Sequence, residues 1–120
     1  MDRPYQYLHV DRRDAFCIVK LVRPAYDDNA LDQMGNEMAR LLDEEGCRSV
    51  ILSLGPDDPK CLFSVFLARL VNLKKRLELA GGTLALTDVS VDTKKIFQVA
   101  GIEKFFQFYD TVEAALKVMG

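Results

Sequence analysis

The sequence holds one histidine, His9, and three cysteines with no CxxC pair. A lone histidine has no partner at ligand spacing, which argues against a zinc site. Ser-His-Asp chemistry is weakened for the same reason, because His9 would be its only base and lies far along the chain from Ser64. An odd number of cysteines without CxxC predicts free thiols and a reducing cytoplasm. GxGxxG and GxxxxGKS/T are both missing, and with them the usual cradles for nucleotide phosphates. There is no basic excess: the net charge is −2 with both signs interspersed, which argues against nucleic-acid binding. Long apolar runs are absent as well. The longest is a few residues, too short to span a membrane. Met1-Asp2-Arg3-Pro4-Tyr5 has no apolar run behind it and does not read as a signal peptide. Internal repeats, linkers and low-complexity tracts are also lacking.

What is present is an ordinary globular balance, 49% hydrophobic and 28% charged residues. A chain of 120 residues is long enough for one core, so a single domain over residues 1–120 is expected. Its organising stretch is Val50 to Gly82. The apolar run Val50-Ile51-Leu52-Ser53-Leu54 predicts a buried central strand over Ser49–Leu54. The loop Gly55-Pro56-Asp57-Asp58-Pro59-Lys60 follows, and then a helix from about Leu62 to Ala80 closed by Gly81-Gly82. Phe63, Phe66, Leu67, Leu70, Leu73 and Leu77 recur at helical spacing on one face of that helix. A strand feeding a helix is half of a βαβ unit, and the loop between them is where such folds place binding chemistry.

Upstream, Tyr5–Val10 alternates as a strand, Asp11-Arg12-Arg13-Asp14 reads as a polar turn, and Ala15–Val22 reads as a second strand, together a hairpin. Asp27-Asp28-Asn29 offers N-caps for a helix over Ala30–Glu45, with Leu31, Met34, Met38, Leu41 and Leu42 as its apolar stripe. Gly35 inside that helix points to a close packing contact, and Gly46 is its stop. Downstream, Thr83–Thr87 reads as a strand. Ser90 caps a helix over Val91–Ala100 with Ile96 and Val99 inward. Phe105–Tyr109 reads as a last strand, and Asp110 or Thr111 caps a helix to Met119 with Val112, Ala115, Leu116 and Met119 as its core face. The order is ββαβαβαβα, which implies right-handed crossovers and a mostly parallel sheet behind an antiparallel hairpin.

Two residues at the loop–helix junction carry chemistry. Cys61 precedes the helix, whose N-terminus would favour a thiolate. Cysteine phosphatases place an arginine six residues after the cysteine; here that position is Leu67, and the first arginine is Arg69. A small Cys61-dependent hydrolase or sulfur-transfer enzyme is therefore an alternative reading. Ser64 reads as a cap or first-turn serine. It also suits a phosphoacceptor, because a phosphate there meets the positive end of the helix. Asp57-Asp58 between prolines reads as a solvated turn. A third reading is an apolar small-molecule module, with the ligand under Phe63, Phe66 and the hairpin.

The element order, with Val50–Leu54, Leu77-Glu78-Leu79-Ala80-Gly81-Gly82, Thr83–Leu86, Val89-Ser90, Lys94-Lys95-Ile96-Phe97, Ala100-Gly101-Ile102, Phe105-Phe106 and Ala114-Ala115-Leu116, resembles the STAS domain of anti-sigma factor antagonists and sulfate transporters. The resemblance covers nearly the whole chain. It implies an α/β fold with a mixed, mostly parallel sheet and helices packed on it. It implies a non-catalytic regulatory module without cofactor or metal, bound by a protein partner of anti-sigma factor or serine-kinase type. In that family the junction reads Asp-Ser-Ser/Thr-Gly and its first serine is phosphorylated; counting back from Gly81-Gly82, that serine is Ser64. Phe63, Val65 and Phe66 stand where the motif has Asp, the second hydroxyl and Gly. The expected partner surface is residues 55–66, with Asp57, Asp58, Lys60, Cys61, Phe63, Ser64 and Phe66.

Overall fold

The computed structural model describes residues 5–13, 16–21, 28–43, 46–55 and 63–119, with residues 28 and 63 described by their backbone. The elements are β1 (Leu8–Arg13), β2 (Phe16–Leu21), α1 (Asp28–Asp43), β3 (Ser49–Ser53), α2 (Phe63–Leu79), β4 (Thr83–Thr87), α3 (Val91–Val99), a 3₁₀ turn (Glu103–Phe105), β5 (Gln107–Tyr109) and α4 (Val112–Met119). The sheet order is β1-β2-β3-β4-β5, identical to the chain order. β1 and β2 are antiparallel; β2–β3, β3–β4 and β4–β5 are parallel. This is the mixed α/β sheet with a leading hairpin that the residue pattern implies.

Parallel neighbours need crossovers, and right-handed crossovers that always step the same way place their helices on the same face. The core agrees. Leu31, Met34, Met38 and Leu41 of α1, Phe66, Leu70 and Leu77 of α2, and Phe97 of α3 share one apolar cluster with Val19, Val50, Leu52 and Leu86. The other face of the strands, Ile18, Ile51 and Ala85, is covered by Val112 and Ala115 of α4. Because the order never reverses, this sheet has no topological switch point, the crevice that the βαβ reading takes as its usual binding place.

α1 and α2 lie side by side. Gly35 faces α2, and a Cβ there would sit 3.3 Å from Cδ of the Arg69 side chain, the close contact expected at this glycine. Arg69 reaches Asp32, and Arg76 donates to both Asp43 oxygens at 2.8 and 2.7 Å, so ion pairs cross the helix seam at two points. α1 also holds Tyr5, Gln6 and Tyr7 ahead of β1. The Glu37 carboxylate accepts from the Gln6 and Tyr7 N–H groups at 2.8 and 2.9 Å, and the Arg40 guanidinium lies 4.0 Å over the Tyr5 ring. α2 ends in a Schellman motif: Gly82 N–H donates to the Leu77 carbonyl, Gly81 N–H to that of Glu78, and Gly81 takes φ +80°.

Four sequence expectations are corrected. β1 runs on through Asp11, Arg12 and Arg13, each paired with β2, so these charged residues belong to a strand and not a turn. β1 is an edge strand, where charged side chains stay in water and discourage pairing with other chains. In α3 Ile96 packs partly buried against the core as expected, but the fully buried residues are Thr93 and Phe97, four apart, and Val99 is 89% exposed. Phe97 is turned inward by its contacts with Phe106 and Phe108, both edge-on at 5.5 and 5.4 Å. Within Phe105–Tyr109 only Gln107–Tyr109 is strand; Phe105 ends the 3₁₀ turn and is exposed. Finally, Cys17 and Cys47 form a disulfide, against the expected free thiols. Parity and local spacing say nothing about partners brought together by strand pairing. No helix among the described residues is long and apolar enough to cross a membrane.

Candidate functional site

β3 and β4 end side by side, and their C-terminal residues are tied together. Leu54 N–H donates to the Thr87 carbonyl at 3.0 Å, extending the pairing beyond β3. The hydroxyls of Ser53 and Thr87, 2% and 0% exposed, both donate to Oδ2 of Asp88, at 2.9 and 2.8 Å. Two buried hydroxyls are thus satisfied by one carboxylate. Asp88 adopts φ +58°, the left-handed region, which aspartate enters more readily than most residues. Its own N–H donates to the Asp110 carbonyl at 3.2 Å, which ties in the end of β5. Gly55 passes directly over Asp88, and a Cβ on Gly55 would be 2.8 Å from the Asp88 Cβ and 2.9 Å from its carbonyl oxygen. Only glycine fits that approach.

From this anchored point the chain leaves for α2. Asp57, Asp58, Lys60 and Cys61 lie outside the described residues, as does the side chain of Phe63. Ser64 is the second residue of α2 and is exposed. It is therefore a first-turn residue and not the cap; Ser90 shows the capping arrangement, accepting from Thr93 N–H at 3.0 Å just ahead of α3. The first turn of α2 contains no acidic residue. The positive dipole end of α2 therefore has no carboxylate in its own first turn to answer it.

Phe66 must be removed from the expected contact surface. It is 0% exposed and sits in the main core cluster with Leu70 and Leu77. It supports α2 from beneath and presents nothing to a partner. His9 and Ser64 are not brought together. His9 lines a groove with Lys20, Val112 and Glu113 on the α4 side of the sheet, whereas α2 packs on the opposite face. Among the described residues no three His, Cys, Asp or Glu side chains gather into a metal site.

Sequence reasoning missed Asp88 and the contact that Gly55 makes with it. The signal available was slight, an aspartate directly after a strand and a glycine directly after another, and nothing local shows that the two touch.

A family model, the STAS domain, matches residues 7–115. The chain belongs to the STAS domain family. No curated protein matches its sequence. Among solved structures, an anti-sigma-factor antagonist STAS domain protein from Planctomyces limnophilus is similar at 22% identity and TM-score 0.79, covering 94% of this chain and 97% of that one. The Bacillus cell fate determinant SpoIIAA in its phosphorylated form is similar at 16% identity and TM-score 0.71, covering 94% and 99%. A serine-to-glutamate variant of RsbS from Moorella thermoacetica is similar at 12% identity and TM-score 0.73, covering 93% of each chain. At these identities the likeness is one of fold. This STAS chain shares the architecture of those proteins.

Proposed function

We propose that this STAS domain is a non-catalytic regulatory module that binds a protein partner at the C-terminal end of β3 and the first turn of α2, with Ser64 as a phosphoacceptor. The partner would be of anti-sigma factor or serine-kinase type. The observation that carries the proposal is Ser64 itself: exposed, in the first turn of a 17-residue helix, with no acidic residue in that turn. A phosphate on Ser64 would bring nearly two negative charges to the positive helix end and be held there. Family membership and the phosphorylated state named for the similar SpoIIAA structure support this reading.

The Ser53–Asp88–Thr87 knot gives the surface a fixed base. The chain enters the junction from a point, Gly55, fixed by buried hydrogen bonds and a glycine contact. Asp57, Asp58, Lys60, Cys61 and Phe63 complete the proposed surface from the stretch between Gly55 and Ser64.

The test is incubation of the full chain with serine kinases encoded near it, followed by phosphopeptide mass spectrometry and binding measurements. Phosphate on Ser64, with partner affinity changed by Ser64→Glu and retained by Ser64→Ala, is the expected result. Absence of phosphate, with both variants binding as the parent does, removes the switch and leaves a constitutive module.

A further inference from the structure

We propose that Cys17 and Cys47 form a reversible thiol–disulfide exchange site whose co-reactant is a dithiol. The inference is independent of the Ser64 reading. Cys17 lies on β2 and Cys47 two residues before β3, and the two are bonded with their Cα atoms 6.4 Å apart. A third residue addresses the sulfur. Arg12, the β1 residue opposite Cys17, donates from Nη2 to the Cys47 Sγ at 3.4 Å. A disulfide sulfur is a weak acceptor and gains little from a guanidinium. A thiolate gains much more, because a neighbouring arginine lowers a thiol's pKa and stabilises the charged sulfur. Arg12 is thus placed to serve the reduced state.

The consequence for exchange is directional. A thiolate of the dithiol attacks Sγ of Cys17, forming a mixed disulfide, and the electron pair of the broken S–S bond leaves on Sγ of Cys47 beside Arg12. The better-stabilised thiolate is the better leaving group. The second thiolate of the reagent then attacks its own bound sulfur, closing its ring and releasing Cys17 as a thiolate that takes a proton from water. Two electrons pass from the dithiol, which becomes a disulfide, to the cysteine pair.

Both cysteines are buried, so exchange requires local opening. The place for it is the short connection around Cys47. Residues 46–48 are neither helix nor strand, and they are held by Cys47 N–H to the Leu41 carbonyl at 3.1 Å and by Arg48 Nη1 to the Leu42 carbonyl at 3.3 Å. Cys47 belongs to the main core cluster and the Arg48 carbonyl accepts from Thr83 N–H at 2.8 Å, so access to the bond comes through a local fluctuation with a cost of its own. The connection lies at the N-terminal end of β3, the end of the strand away from Ser53 and the α2 junction. Reduction removes the covalent tie between β2 and the α1–β3 connection, while the β2–β3 pairing and the junction stay in place.

The experiment uses the full chain carrying Cys61→Ser. Protein is equilibrated across ratios of reduced to oxidised dithiothreitol at about pH 9, above the ordinary thiol pKa of about 8.5, so that thiolate stabilisation is felt. Free thiols are trapped with a maleimide and counted by intact mass. The expected result is interconversion of species carrying no adduct and two adducts, with a reproducible midpoint approached from either side. Arg12→Gln should make the disulfide harder to reduce by about threefold to tenfold in the exchange constant, the scale of a thiol pKa change of up to one unit, and Arg12→Lys should restore most of it. Two free thiols at every ratio would overturn the proposal. So would a disulfide that no ratio reduces in the folded protein, or a midpoint unmoved by Arg12→Gln.

Discussion

Gly55 crosses Asp88 so closely that a single added methyl would lie 2.8 Å from the Asp88 Cβ. The residue that leaves β3 and the residue that leaves β4 therefore share one contact. Beneath it the Asp88 carboxylate takes both buried hydroxyls of the strand ends.

Asp88→Ala should destabilise the protein by about 2–4 kcal/mol. It strands the Ser53 and Thr87 hydroxyls and puts a Cβ-bearing residue without a local hydrogen bond at positive φ. Asp88→Asn retains an acceptor oxygen and tolerates the same backbone, so a loss of about 1 kcal/mol is expected. Urea unfolding of the two variants beside the parent decides the matter, and equal losses would mean that the hydroxyl bonds contribute nothing.

Phe97→Ala and Val99→Ala form a matched pair on one short helix. Phe97 is completely buried and meets two rings edge-on, so truncation should cost about 3–5 kcal/mol. Val99 is 89% exposed, and its truncation should stay within about 0.5 kcal/mol of zero. Thermal midpoints read both; a large loss at Val99 would put the helix in the wrong phase.

Gly35→Ala separates two opposing effects. Alanine in a helix interior is favoured over glycine by about 1 kcal/mol. Against this, the new Cβ would press the Arg69 side chain at 3.3 Å. Arg69 is long and partly exposed, and the contact is with its flexible stem and guanidinium, so it can yield by a few tenths of an ångström. A net gain of about 0.5 kcal/mol is expected in urea unfolding. A net loss would mean that the Arg69–Asp32 pair locks the stem in place.

Ser64→Glu should stabilise α2 by about 0.3–1 kcal/mol at low ionic strength, because a negative charge enters a first turn that has none. The gain should shrink as salt is raised toward about 1 M, where screening acts within a few ångströms. Thermal midpoints of Ser64→Glu and Ser64→Gln at low and high salt isolate the charge.

The fold was legible where chemistry is local. Thr83–Thr87 is bounded by Gly81-Gly82 and Asp88, and the strand falls where those residues place it. The α1 and α2 stripes are long enough to fix their own phase. α3 is not: over nine residues Val99 and Phe97 are equally plausible as inward positions, and the choice is made by Phe106 and Phe108. Charge misled at Asp11–Arg13 because an edge strand and a turn both accept it. At the candidate site Ser64 was visible from the helix start. Phe66 was misplaced because a phenylalanine beside a loop looks like a contact residue until the helix phase turns it into the core. Asp88, Gly55 and the Cys17–Cys47 bond depend on strands meeting in space, a relation no spacing along the chain reports.

The agreement of sheet order with chain order has a further consequence. Each strand docks on the outer edge left by its predecessor, so no strand has to insert between two already paired. During synthesis from the N-terminus, β3 finds β2 waiting, β4 finds β3, and β5 finds β4. The sheet grows at one advancing edge, and a nascent chain halted at any crossover still presents every strand made so far with its native neighbour.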